Sequence, residues 1–378
     1  MPSHIKPTIH QFQIIRPKFV LKQADSIDWL SKAHSLVEKD ELDSPKALHL
    51  KRRYSHYGCS ENKISTRGTE IEDFTHQQWD KMELFHVNNP KKINLDERMR
   101  FYDEKVSSVF EKLSLIDSPN ELTPQNILHV TCTGYLSPSP AQNWVHQQKW
   151  GKHCQVIHLY HMGCYASIPA IRVAKALVQE KGGSTLIKHN ELCTLHFSPW
   201  DSSPEQLVIQ SLFSDGHIGY LVTKPTEPIS GLEILSDREM IIPNSNKDMS
   251  WSPGTHGFSM NLSPLVPKKI TEHLPYFLRE WLTLEKYDFE TISKEAFFAI
   301  HPGGPKIIRN LQEALNLQQW QISHSTRILH RYGNMSSATL PHIWERMLHS
   351  NELPKGSLII SLAFGPGISI HGTLFRKV

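Results

Sequence analysis

CQVIHLYHMGCYASIPAIRVAKALVQE, residues 154–180, joins an apolar strand that stops at Tyr160 to an almost wholly apolar helix that starts near Ala166. A helix apolar on every side is a buried helix, so strands must cover it, and the segment predicts a layered α/β core. Cys164 lies in the turn between strand and helix. Backbone N–H groups at a helix start and the positive end of its dipole favour anionic sulfur. The turn therefore predicts a thiol that ionises near neutral pH and attacks a carbonyl.

Downstream, Gly182 and Gly183 stop the helix. Apolar runs at 186–187, 192–197 and 207–213 follow, and Asp215-Gly216 makes a turn before a strand at 218–222. Upstream, the pattern predicts a strand-like start at 11–21, a helix at 26–38, and a polar, loop-rich region to about Asn94. It then predicts a helix at 97–113, a short strand at 126–131 and a turn-rich stretch at 134–140. The second half repeats this grammar, with strands at 232–242 and 257–262 and helices at 267–284, 305–317 and 337–348. A closing strand at 357–363 runs into Phe364-Gly365-Pro366-Gly367. Two rounds of alternating strands and helices predict two similar halves, divided as 1–225 and 226–378, with ligands gathered beyond the carboxyl ends of the strands. His301, which ends the apolar run 296–300 and opens His-Pro-Gly-Gly-Pro, falls at such an end in the second half, as Cys164 does in the first. Asn334 lies in Tyr-Gly-Asn-Met-Ser-Ser before another helix. A Cys, a His and an Asn on three turns beside buried elements form a candidate site of acyl chemistry.

Composition narrows the classes. With 41 Lys and Arg against 38 Asp and Glu, the net charge is +3, without the basic field that nucleic-acid binding usually leaves. No apolar run is long enough for a membrane span and residues 1–16 lack a signal-peptide core, so the expected location is the cytoplasm. Five cysteines without paired short spacings argue against a disulfide framework and a zinc knuckle, and the 23 histidines form no compact ligand cluster. No metal is expected.

A Cys, His, Asn order is shared with papain-like proteases, but the cysteine context here is not theirs. Met162-Gly-Cys-Tyr-Ala-Ser-Ile-Pro-Ala170, His301-Pro-Gly-Gly-Pro305, Gly333-Asn-Met-Ser-Ser-Ala338 and Phe364-Gly-Pro-Gly367, in that order, resemble the type III polyketide synthases, the chalcone-synthase-like branch of the thiolase-fold condensing enzymes. Arg98 to Tyr102, Leu212 to Gly216 and His256-Gly257-Phe258 extend the likeness over about 95–378. The resemblance implies a thiolase-like fold of two pseudo-duplicated βαβαβ halves in five layers. It also implies a homodimer that loads an acyl starter on Cys164, extends it with malonyl-CoA and cyclises some products. By the same resemblance, His301 and Asn334 polarise the thioester carbonyl and Phe213 and Phe258 are gatekeepers. Thr131, Cys193, His196 and Ser336 would line the pocket.

The basic run at Lys51 and Arg52 is a candidate for the phosphates of coenzyme A, or a solvated helix face. Plant relatives carry further basic residues upstream of such a run, where residues 41–46 read Glu-Leu-Asp-Ser-Pro-Lys. Delivery of the starter by an acyl carrier protein therefore stays open beside acyl-CoA. Cys193 and His196 fall where plant enzymes present hydroxyls, which changes cavity shape and polarity. The chemistry calls for no resident cofactor. The alternatives are a single-condensation β-ketoacyl synthase III-like enzyme, a cysteine thiol hydrolase, and a non-catalytic biosynthetic partner. Starter, number of extensions, type of ring closure and pathway depend on cavity volume, which side-chain packing decides.

Overall fold

The computed structural model describes residues 6–39, 44–113 and 123–378. The first half begins with β1 (Thr8–Ile15) and β2 (Phe19–Lys22), followed by α1 (Gln23–Val37), α2 (Pro45–Tyr57) and β3 (Thr66–Thr69). The expected single strand at 11–21 is split, with Pro17, which has no N–H for a ladder, between its parts. β2 turns away to pair with β3 in a separate ribbon. The basic run, placed before a loop-rich region, lies on α2, which Ser44 caps and Pro45 starts.

α3 (Leu95–Lys112) starts at a capping box of Asn94 and Glu97. β4 (Asn126–Thr131), α4 (Pro140–Gln147), β5 (Gln155–Tyr160), α5 (Ser167–Lys181), β6 (Ser184–Glu191), α6 (Pro204–Leu212) and β7 (Gly216–Thr223) complete the half. The second half contains β8 (Leu232–Ile241), the hairpin β9 (Met249–Gly254) and β10 (Gly257–Leu262), α7 (Val266–Leu284), α8 (Phe289–Glu295) and β11 (Phe297–Ile300). It continues with α9 (Pro305–Ala314), α10 (Gln319–Tyr332), α11 (Thr339–Leu348), β12 (Leu358–Gly365) and β13 (Ser369–Lys377). β12 is therefore not the closing strand. Antiparallel β13 lies between it and β8.

Strand order exposes the duplication. β4, β6, β7 and β1 run side by side in one half, and β11, β12, β13 and β8 in the other. Each set is one parallel step followed by two antiparallel steps. The first half adds β5 at the outer edge, parallel to β4. A short antiparallel contact of Thr8 and Ile9 with Glu233 and Leu232 joins the halves into one nine-stranded sheet.

Alternating side chains sort the strands into layers. Leu128, Ile187, Phe297 and Ile359 face a central core with the inner faces of α5 and α11. Their neighbours Ile127 and Leu186 face outward onto α1, α3 and α4, and Phe298 and Ile360 onto α7 and α9. The result is helix, sheet, helix, sheet, helix: the expected five-layered, thiolase-like arrangement. One detail of the expected symmetry changes. α5 and α11 each precede the second strand of their set, so the counterpart of the Cys164 turn is the turn of Asn334. His301, at the end of β11, corresponds instead to the end of β4 at Thr131.

Candidate active site

Cys164 is held in a bent turn. Gly163 adopts φ +94, and a side chain there would strike Pro366; a side chain on Gly365 would collide with the ring of Tyr165. The Phe364-Gly-Pro-Gly loop at the end of β12 is thus pressed against both neighbours of the nucleophile. The sulfur is partly open to a narrow cavity of about 80 Å3 and lies 3.7 Å from the hydroxyl of Ser336.

Asn334 is fully buried in the turn between α10 and α11. Gly333, at φ +71, ends α10 there. The Asn334 N–H donates to the carbonyl of Leu212 and its carbonyl accepts from Ser214, which forms a bridge to Phe213. Its side-chain Oδ1 accepts from the Ser336 N–H at 2.8 Å and the Thr339 hydroxyl at 3.3 Å. Those bonds fix the amide so that Nδ2 points elsewhere, and Nδ2 has no hydrogen-bond partner, though it is near enough to the sulfur to favour its thiolate. His301 is 1% exposed, and its N–H donates to the Leu362 carbonyl on β12. Neither of its ring nitrogens has a partner. A buried polar atom without a partner is costly; three such atoms lie on His301 and Asn334, neither of which lines the cavity of Cys164.

The expected resting thiolate is not what the surroundings favour. Burial, joined by the charge of Glu191, pushes the Cys164 thiol up to about 12, against the smaller opposing pulls of Ser336 and Asn334. Burial takes His301 down to about 3. Two N–H groups at the start of α5, on Ala166 and Ile168, are spent on the carbonyls of Gly163 and Tyr165. Burial thus favours the uncharged form of both groups.

Of the expected pocket residues, Cys193, His196, Phe213, Phe258 and Ser336 line the cavity with Cys164. Thr131 does not. Its hydroxyl meets Glu191 and Thr133, each at 3.2 Å, while the next residues, Cys132 and Thr133, form the wall. Lys51 on α2 pairs with Asp28 at 3.0 Å, Arg52 is exposed, and neither reaches the cavity. Residues 41–43 of the upstream stretch lie outside the described residues.

Sequence reasoning missed Glu191 at the end of β6. This buried carboxylate accepts from the Cys132 N–H at 3.0 Å, the Thr133 hydroxyl at 2.8 Å and the Ser337 hydroxyl, and burial raises its pKa. It ties the loop after β4 to the turn that carries Asn334. An acid closing a strand that begins Ser-Thr-Leu-Ile was its only signal. Cys132 was missed as well; its sulfur lies 2.7 Å from the Ser336 hydroxyl. No cluster of three His, Cys, Asp or Glu arranged to hold a metal occurs among the described residues, and no described helix is long and apolar enough to cross a membrane.

Comparison with known proteins gives the family and the fold. Residues 124–224 match the model of the N-terminal domain of chalcone and stilbene synthases, and 233–378 that of the C-terminal domain. Two Dictyostelium discoideum proteins, Probable polyketide synthase 1 and Polyketide synthase 37, are each 30% identical to this chain, over 258 and 303 residues, or 67% and 76% of it. The chain spans only 8% and 10% of their length. The fold is that of PKS-I from the brown alga Ectocarpus siliculosus, with a TM-score of 0.84 at 20% identity, covering 100% of this chain and 99% of that one. The chain belongs to the chalcone and stilbene synthase family, the type III polyketide synthases.

Proposed function

We propose that this protein is a decarboxylating condensing acyltransferase that loads an acyl starter on Cys164 and extends it with malonyl-CoA. The unpartnered nitrogens of His301 and Asn334, at the end of the fold where the turn of Cys164 sits, carry this reading. As the starter thioester arrives, its carbonyl carbon bonds to the Cys164 sulfur, the open lone pair of neutral His301 takes the thiol proton, and the coenzyme A thiolate leaves with a proton. In malonyl-CoA the bond to the carboxylate then breaks, CO2 departs, and the electron pair forms an enolate. Its oxygen needs donors already in place, which the His301 and Asn334 N–H groups supply. The enolate carbon attacks the acyl thioester and expels the Cys164 thiolate, leaving a chain two carbons longer on coenzyme A. Electron pairs move only within the substrates and the side chains, so the chemistry asks for no metal, redox cofactor or prosthetic group.

The same reading includes halves divided at 225/226, a cytoplasmic location and a homodimer. β5 supports the dimer: it is the outer edge of the sheet and mostly half-exposed, and Tyr135, 65% exposed, packs beside its Tyr160. An open edge of this kind invites a second strand. With Lys51 paired and Arg52 away from the cavity, delivery by coenzyme A or by an acyl carrier protein fits equally.

Incubation with acyl-CoA and isotopically labelled malonyl-CoA, followed by mass spectrometry, tests the reading. Wild-type protein is expected to carry an acyl adduct that Cys164→Ala lacks, and to release products longer by two or more ketide units. Products with one added unit would assign a single-condensation synthase, and thioester cleavage without a new carbon–carbon bond a hydrolase.

A further inference from the structure

His371, 4% exposed, lies on β13 between two strands. Across one ladder it pairs with Ala363 of β12, next to the Phe364-Gly-Pro-Gly loop, and across the other with Glu239 of β8. Its imidazole stacks on the ring of Tyr165, with centroids 4.0 Å apart and planes 7° from parallel. Tyr165 is the residue after Cys164, and the same ring fills the space beside Gly365, where a side chain would overlap it. Neither Tyr165 nor His371 lines the cavity. The turn of the nucleophile is thus backed by a ring pair outside the chamber.

The contacts of His371 close on themselves. Its Nε2 meets the Ser369 hydroxyl at 3.0 Å, while Nδ1 lies 3.5 Å from Glu239 Oε2 and makes no hydrogen bond. Glu239 accepts from Arg172 Nη1 at 2.6 Å. Arg172, on α5, also donates to Asp237 of β8, which accepts from Lys175 of the next turn at 2.5 Å. A path therefore runs from Tyr165 along about two turns of α5 to Arg172, across to Glu239, over to His371, and back through the stack to Tyr165. A shift of the Cys164 turn would have to break either the stack or the bond between Arg172 and Glu239. A plain core residue at 371 would need only volume, whereas the parallel stack needs a flat ring.

We propose that His371 is a positioning residue for the nucleophile: its stack on Tyr165 closes the ring through Arg172 and Glu239 and holds the Cys164 sulfur in line with an incoming thioester carbonyl. This rests on the acyltransferase reading above. Misplacement of a reacting atom by about 1 Å can cost 10²-fold in rate, so a support behind the turn is enough to matter.

Two reactions of the same sulfur test it. One is single-turnover acylation of Cys164, followed by intact mass, with the saturated acyl thioester of coenzyme A or N-acetylcysteamine, from acetyl to stearoyl, that wild-type protein takes fastest. The other is alkylation of Cys164 by iodoacetamide, mapped by peptide mass, which needs access but little alignment. His371→Leu keeps bulk and removes the flat ring. Its acylation rate at saturating thioester is expected to fall about tenfold with the half-saturating concentration unchanged, while alkylation stays within about twofold. His371→Phe, which restores a ring but not the bond to Ser369, returns acylation to the wild-type rate. Glu239→Gln, on a half-exposed side chain that does not threaten folding, lowers acylation about threefold, and adding it to His371→Leu lowers it no further because the ring is already open.

A role confined to folding would slow acylation and alkylation by the same factor. That result, a His371→Phe protein as slow as His371→Leu, or full-rate acylation in Glu239→Gln overturns the proposal and leaves the acyltransferase reading standing. Wild-type protein that takes no acyl group from any of these thioesters would overturn that reading and the positioning role with it.

Discussion

β6 and β12 hold the same place in the two halves, each between a parallel and an antiparallel neighbour, yet their buried chemistry is opposite. In β6, Lys188, His189, Asn190 and Glu191 are all 0% exposed. β12 is apolar apart from Ser361, whose hydroxyl accepts from the Trp344 indole at 2.8 Å. Burying four polar side chains costs free energy that only bonds can offset. Most are found: Lys188 donates to the Phe110 carbonyl, His189 meets Ser337 and Tyr220, Asn190 Nδ2 meets His217 while its Oδ1 has no partner, and Glu191 gathers the loop after β4 and the turn of Asn334. One repeat has become the polar strand that ties the active-site turns together, while its twin remains plain core.

The largest effect expected from breaking this contrast is at Glu191. Glu191→Ala leaves the Cys132 N–H and the Thr133 and Ser337 hydroxyls without their shared acceptor. At 1–3 kcal/mol per stranded buried donor, a loss of about 4 kcal/mol in unfolding free energy is expected by denaturant titration. Glu191→Gln keeps an acceptor and should recover at least half of it. Equal losses for the two variants would mean that charge, not acceptance, is what Glu191 supplies.

Next is Asn334, the duplicate of the Cys164 position. Asn334→Ala removes one donor worth about 3 kcal/mol, so condensation is expected to fall about 10²-fold. Acylation of Cys164, read by intact mass, should continue. A parallel loss of acylation would make Asn334 a support for the nucleophile and not an enolate donor.

Legibility from sequence follows the same divide. The Cys164 turn, the His301 and Asn334 turns and the repeated strand–helix grammar were readable because glycine stops and apolar periods are local signals. β13, α10 and the β9 strand were not, since short segments of mixed polarity take their structure from what they pair with. Glu191 was hidden for a related reason. A lone acid reads as surface, and only the fold reveals that it ends a central strand against five acceptor-seeking groups. The pull of burial on Cys164 was hidden as well, because helix-start electrostatics can be judged from sequence, whereas desolvation cannot.

His189 sharpens the contrast through pH. Burial first, and His342 second, bring it down from 6.5 to about 3. The unfolded chain therefore binds a proton below pH 6.5 that the native state refuses. The stability His189 contributes is complete above 6.5 and is lost as pH falls from there toward 3. At pH 5 that loss is about 2 kcal/mol from this group. His189→Gln should reduce the difference in unfolding free energy between pH 7.5 and 5 by that amount; an unchanged difference would mean that the unfolded chain also keeps this imidazole neutral.

The smallest effect is expected on the apolar twin. Ser361→Ala strands one buried indole N–H, on Trp344, which is 0% exposed, at a cost of about 1 kcal/mol. Because β12 has no polar neighbour to Ser361, nothing further should unravel, and kcat/KM for acylation of Cys164 should stay within about twofold, as expected for a change outside the reacting groups. The informative comparison is with Trp344→Phe in the same background. If the single bond is all that β12 needs, the double variant recovers the hydrogen-bond loss and retains only the cost of the smaller ring. If Ser361→Ala alone lowers acylation strongly, β12 also transmits position to the Phe364-Gly-Pro-Gly loop at its end, and the two strands are less unlike than their side chains suggest.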